Sequence, residues 1–202
     1  MIRRIVCIFL SFVLLLCLCI TPTHIKASEV SDINETETNI TLRAPSRLGG
    51  KYQRGVKKMY YTINDGAKRY SSQIKNATHN WVYTGYDNPI YMYLVTSTYA
   101  TDLDFYTYSR NNNIIGETRF FSSIGNRISP NVNNWYFAQV YMNSVYGNRS
   151  YFNGTIRHEI GHALGLGHTF DKYSIMCQTG SGRKVQTVQK SDSDMIVKIY
   201  GW

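Results

Sequence analysis

From Met59 to Asn143 the chain alternates short runs of β-branched and aromatic residues with polar turns. Met59–Ile63 (MYYTI), Ile90–Thr96 (IYMYLVT), Leu103–Tyr108, Ile114–Phe121 (IIGETRFF) and Trp135–Asn143 (WYFAQVYMN) each read as a strand. Asn64-Asp65-Gly66 reads as the turn after the first of them. Tyr70, Ile74, Ala77 and Trp81 fall near i, i+4, i+7 and i+11, one face of a long helix. Apolar spacing predicts a second helix from about Thr155 to Leu166, introduced by Asn153-Gly154 and left through Gly165, a residue free to take φ > 0. The stretch from His168 to Arg183 is rich in glycine and polar residues and reads as loop. Ser191, with Asp194 three residues on, reads as the N-cap of a last helix that buries Met195, Ile196 and Ile199. No internal repeat is evident.

Ahead of this pattern the chain has a different character. Arg3 and Arg4 precede an apolar run from Ile5 to Ile20, followed by Thr21-Pro22 and a small residue at Ala27. That order predicts a secretory signal peptide over residues 1–27. The run is short for a membrane span, so an uncleaved anchor is the lesser reading. A lipoprotein site is disfavoured because Leu precedes both Cys17 and Cys19. Residues 28–58 form a linker or short pro-segment: first acidic (Glu29, Asp32, Glu35, Glu37), then basic from Arg43 to Lys58. As a linker it would be a disordered tether. As a pro-segment it would confer latency, using a carboxylate or steric cover because it contains no cysteine. The domain proper spans residues 59–202.

Removal of residues 1–27 takes Cys7, Cys17 and Cys19 and leaves only Cys177, so no internal disulfide can form. About 175 residues suffice for one domain with its own core. The net charge falls from +9 to +6 with the loss of Arg3, Arg4 and Lys26. That excess suits solubility, and no nucleic-acid-binding motif accompanies it. Eight of the 17 tyrosines fall in these strands, which suggests half-wet sheet faces.

The chemistry is concentrated in His158-Glu159-Ile160-Gly161-His162-Ala163-Leu164-Gly165-Leu166-Gly167-His168. Residues four apart share a helix face, so His158 and His162 can reach one ion. A turn at Gly165 can bring His168 round as a third ligand. Three imidazoles leave a fourth position for water, as in catalytic rather than structural zinc sites. Glu159 lies about 100° from His158 around the helix, placed to take a proton from that water as general base. His79, the other histidine beyond the leader, falls in the first helix and reads as a surface or packing residue.

The pattern HExxHxxGxxH, followed by Met176 in Ser174-Ile175-Met176-Cys177, resembles that of metzincin zinc metallopeptidases. More widely, Met59 to Gly201 is similar to a small matrixin catalytic domain. Thr101-Asp102-Leu103-Asp104-Phe105 resembles the start of a family strand, Trp81 the tryptophan closing the first helix, and Ser191-Asp192 through Ile196, Ile199, Tyr200 and Gly201 the last helix. The resemblance implies an α+β, zincin-like fold. Its parts would be a twisted, mostly parallel five-stranded sheet with one antiparallel edge strand, a long helix, an active-site helix and a C-terminal helix. It implies that the edge strand, through Ile115, Gly116, Glu117, Thr118, Arg119 and Phe120, pairs with an extended substrate. Met176 would support the imidazoles from below without binding metal, and Asp192 would be structural.

Some positions depart from the family. Thr169 stands where matrixins usually carry Ser, and Gln178-Thr179-Gly180 replaces the Pro-x-Tyr that shapes their main specificity pocket. No spare histidines exist for a second zinc site. Calcium could be held by Asp87, Asp102 or Asp104, or these acids are simply solvated. Cys177 reads as a small buried residue, with a reactive thiol as the alternative.

The expectation is a secreted, extracellular zinc endopeptidase acting on protein or peptide substrates. A monomer is expected, with no nucleic-acid partner and no stable membrane association once the leader is cut. Two alternatives stand beside it: a zinc amidase acting on cell-wall peptide, and a non-catalytic binding protein of the same fold. The intact Glu159 argues against the last.

Overall fold

A computed structural model describes residues 44–96 and 101–202. The leader and the acidic stretch up to residue 43 lie outside the described residues. Six strands form one sheet: β1 (Met59–Ile63), β2 (Met92–Leu94), β3 (Leu103–Tyr108), β4 (Gly116–Phe121), β5 (Arg127–Ile128) and β6 (Phe137–Asn143), in the order β2-β1-β3-β6-β4-β5. β2, β1, β3 and β6 run parallel, while β4 is antiparallel to both β6 and β5. The fold is α+β and mostly parallel, as expected, with one strand more than the five anticipated. The addition is β5, two residues that pair only with Phe120 and Phe121. So short a strand carries no alternating pattern to read.

Three α-helices complete the domain: α1 (Ser71–Val82), α2 (Phe152–Ala163) and α3 (Lys190–Tyr200). The expected turn after β1 tightens directly into a 3-10 segment, Asp65–Tyr70, that feeds α1. α2 lies between α1 and the strands β4 and β6, which is why it is buried on nearly every side. It starts three residues before the expected Thr155, because Phe152 is fully buried with its ring 5.0 Å from that of Tyr70. Its far end closes at Gly165, where φ is +100°: Leu166 N donates to Gly161 O (2.9 Å) and Gly165 N to His162 O (2.9 Å). This pair of bonds is the Schellman pattern that ends a helix and redirects the chain.

Two tryptophans hold α2. Trp81 Nε1 donates to Arg157 O (2.9 Å) from α1, and Trp135 Nε1 donates to Ala163 O (3.1 Å) from just before β6. The second bond satisfies one of the carbonyls that a helix end leaves unpaired.

α3 is capped two residues earlier than the sequence suggested: Gln189, not Ser191, is the N-cap. Gln189 and Asp192 form a reciprocal capping box. The expected partner Asp194 is surface-exposed and pairs with Lys190 instead (2.7 Å). Asp192 wins the capping role because it faces inward, where the helix start needs an acceptor.

The basic stretch before Met59 is not a free tether over its described part. Tyr52 and Val56 are buried, and Arg47 and Tyr52 bridge to Leu166 and Trp135. Leu48, Tyr52 and Val56 recur every four residues and turn inward, while Arg47, Arg54, Lys57 and Lys58 stay exposed. Charge density hid this packed segment in the sequence.

Asp102 at the head of β3 is fully enclosed. It accepts from the Tyr52 hydroxyl, Arg54 Nη1 (2.8 Å) and Tyr60 N (2.7 Å). Asp104 accepts from the Thr101 hydroxyl. Asp102, paired with Arg54, fastens the N-terminal segment to β3, and among the described residues Asp87, Asp102 and Asp104 do not come together as a cluster of metal-ligating groups. Among the described residues no helix is long and apolar enough to cross a membrane.

Candidate active site

α2 presents His158 and His162 one turn apart, and the Schellman turn at Gly165 carries the chain back so that His168 faces them. His162 Nε2 lies 3.1 Å from Nε2 of His158 and 3.1 Å from Nε2 of His168. Among the described residues these three form the one cluster whose ligand atoms could share an ion.

The outer ring nitrogens fix the tautomers. His158 Nδ1 donates to Ile175 O (2.8 Å) and His162 Nδ1 to Leu166 O (2.8 Å). A carbonyl can only accept, so each Nδ1 carries the proton and each Nε2 keeps its lone pair toward the centre. Lone pairs this close repel unless a cation sits between them. Tetrahedral ligands about 2.0–2.1 Å from a zinc ion would stand about 3.4 Å apart, close to what is found. Burial, then the neighbouring imidazole of His162, holds His158 well below the ordinary histidine range. Burial lowers His162 too, and burial with the His162 ring brings His168 down to about 4. All three are therefore neutral at physiological pH, the form that binds metal. A neutral all-nitrogen set fits zinc and does not suit calcium, which takes oxygen ligands.

Behind His158 stands the turn Ser174–Cys177, and behind that stands α3. Asp192 accepts from the Ser174 hydroxyl and from Ile175 N (3.1 Å), while Ser174 Oγ accepts from Met176 N (3.0 Å). The carbonyl that orients His158 therefore belongs to a turn fastened to the last helix. Met176 is fully buried, with its sulfur over Gly161, where a Cβ would collide with it and crowd Trp81. Met176 thus packs against the helix that carries His158 and His162.

His168 is held from another direction. Ser46 N (3.2 Å) and Ser46 Oγ (2.9 Å) both donate to His168 O, Gly167 N donates to Ser46 O (2.6 Å), and Leu48 N to Gly165 O (2.9 Å). No sequence signal pointed to Ser46 or Leu48.

Glu159 is buried beside the imidazoles, and Thr118 Oγ1 donates to its Oε2 (2.7 Å). Burial pushes its carboxyl up to about 7, against the opposing effect of the Thr118 hydrogen bond. Gly116 makes room for it: a Cβ there would lie 2.8 Å from Glu159 Cγ and 2.9 Å from Oε1.

Of the expected edge-strand residues, Gly116 and Thr118 thus touch Glu159, and Phe120 is buried against Trp135. Glu117 and Arg119 instead pair with each other (3.0 Å), Glu117 also pairing with Arg127 (2.9 Å) and Arg119 covering the Tyr141 ring. Ile115 lies just before β4 and lines the cleft. From Gly116 to Arg119 the strand pairs with β6 on one side, and β5 reaches only Phe120 and Phe121 on the other.

Two hollows meet at His158, Glu159 and Gln178. One, of about 340 Å³, runs between Ile114–Gly116 and the Gln178–Ser181 turn to Arg183. The other, of about 440 Å³, extends past Leu48, Phe120, Pro130 and His168. The loop read as featureless through Arg183 therefore builds a wall. It contains a 3-10 turn at Thr179–Ser181, and Gly182 has φ of +87°. Cys177 is buried and unbridged, and exposed His79 lies tilted against the Tyr83 ring (4.5 Å), outside the imidazole cluster.

Comparison with known proteins agrees with this geometry. The family model described as matrixin, a peptidase family, matches residues 131–201, the part of the chain from just before β6 through α3. No curated protein matches the chain. Motif, converging imidazoles and family match fall on the same stretch, and over residues 131–201 the chain is similar to the matrixin family of metallopeptidases.

Proposed function

We propose that this protein is a secreted zinc endopeptidase that cleaves extended polypeptides. The observation that carries the reading is the position of Glu159, buried beside three converging imidazole nitrogens and next to a strand whose outer edge has no partner strand at Gly116–Arg119 among the described residues.

His158, His162 and His168 would hold the ion. A zinc ion bound there supplies a Lewis acid that activates water and polarises the substrate carbonyl. The remaining work belongs to side chains of the protein. Glu159 takes the proton of the attacking water at a carboxylate oxygen and delivers it to the departing amine nitrogen. Its raised pKa places proton affinity near neutral pH, where both halves of that transfer are favourable. Thr118 fixes the carboxylate rotamer. Backbone groups of β4 can pair with an extended substrate and lay its scissile bond along the cleft.

The test is Glu159→Ala. Zinc content should persist, while chelator-sensitive hydrolysis of casein or gelatin falls by orders of magnitude. Full hydrolysis by that variant would remove the mechanism.

A further inference from the structure

Arg183 lines the 340 Å³ hollow together with His158 and Glu159. Its surroundings leave the guanidinium unsatisfied. Nη1 lies 3.4 Å from both Ile175 O and Cys177 O, and Nη2 lies 3.5 Å from Tyr151 O, all long for such bonds. Nε is buried without a hydrogen-bond partner. No carboxylate forms an ion pair with it among the described residues. Glu159, the acid in the same wall, has its Oε2 engaged by Thr118.

The position of Arg183 is built rather than incidental. Gly154 on α2 lacks the Cβ that would meet Arg183 Nη2 at 2.9 Å and crowd the Gln186 carbonyl oxygen. Gln186 in turn accepts from Gly154 N (3.0 Å). Ile114 and Ile115 form an apolar flank, able to cover the aliphatic stem of a side chain whose charged end reaches Arg183. A half-buried cation with only long bonds to carbonyls and no carboxylate partner, in the wall of such a hollow, selects an acceptor with negative charge.

We infer that Arg183 is a specificity-determining residue, and that this hollow receives a carboxylate carried by the substrate next to the cleaved bond. The inference rests on the peptidase reading above and names its substrate class. The carboxylate can come from a glutamate side chain or from the free end of a peptide.

Internally quenched peptides test it with the zinc-loaded protein. One pair carries Glu or Gln at each position flanking the cleaved bond in turn. A second pair ends in a free acid or an amide close to that bond. At one position kcat/KM for Glu should exceed that for Gln by about tenfold, the discrimination expected of a charge-assisted bond. A preference confined to the second pair would assign the hollow to chain ends instead. In Arg183→Met the acid-over-amide ratio should fall to about one whatever the absolute rate, and in Arg183→Lys part of it should return. Binding of the same peptides to the zinc-loaded Glu159→Gln protein, read by fluorescence anisotropy, should show the same order. Equal cleavage of acid and amide peptides by the wild-type protein would overturn this inference and leave the peptidase reading standing. Absence of any peptide hydrolysis would overturn both.

Discussion

Thr118 Oγ1 donates to Glu159 Oε2 across 2.7 Å, joining the open-edged strand to the active-site helix. The bond favours the charged carboxylate, so its loss should raise the pKa of Glu159 further. In Thr118→Val the acid limb of the kcat/KM profile is expected to move to higher pH. Thr118→Ser should leave it in place. A profile unchanged by the valine would show that this hydroxyl does not set the protonation of the base.

Asp192 links the last helix to the turn behind His158 through Ser174 and Ile175, and also accepts from Gln189 N at the start of its own helix. Asp192→Ala leaves several buried donors without an acceptor. The expected loss is about 3 kcal/mol of unfolding free energy, measured in urea. Zinc affinity should fall about 10-fold or more as well, because Ile175 O orients His158. A variant destabilised to this degree but with unaltered zinc affinity would separate the turn from the site.

The imidazoles predict how the metal-free protein responds to acid. Their folded pKa values are depressed, that of His168 to about 4, while an unfolded histidine titrates near 6.5. Above about pH 6.5 both states are neutral and the three rings contribute no pH dependence. As pH falls from there toward 4 the unfolded chain takes up protons that the fold resists, so stability declines. Urea midpoints of chelator-treated protein should therefore drop across this window. Saturating zinc should raise the midpoint at neutral pH, since it binds only the folded state.

The segment before Met59 also makes a measurable contribution. Deletion through Leu48 removes the bonds from Ser46 and Leu48 to the Gly165–His168 loop. Zinc affinity, measured by competition with a chelator, is expected to fall about 10-fold while the sheet remains folded. Unchanged affinity would show that the Schellman turn alone positions His168.

How legible the site was in the sequence depended on how local each feature is. His158, Glu159 and His162 lie within one helix and His168 just beyond its closing glycine, so spacing was enough to group them. The strand β3 was readable to the residue because its aromatic and β-branched run is bounded by polar turns. Contacts between distant segments left no such trace. Ser46 meets His168 across 122 positions, and the Gln186 to Gly154 bond spans 32. Arg183 looked like one more basic residue in a loop until the fold turned that loop into a wall. The cap of α3 was misplaced because Ser191 and Asp194 satisfy the local rule equally well, and only the inward direction of Asp192 decides between the frames.

Trp81 and Trp135 each spend their single indole proton on a backbone oxygen of the active-site helix, and both rings are fully enclosed. The third tryptophan, Trp202, is 70% exposed. Ultraviolet emission is thus a built-in gauge of this protein: the blue component comes from two chromophores clasping the very segment that carries His158 and His162, and a wet fluorophore at the tail provides the reference. Titrating metal in or out can be followed optically, with no label attached.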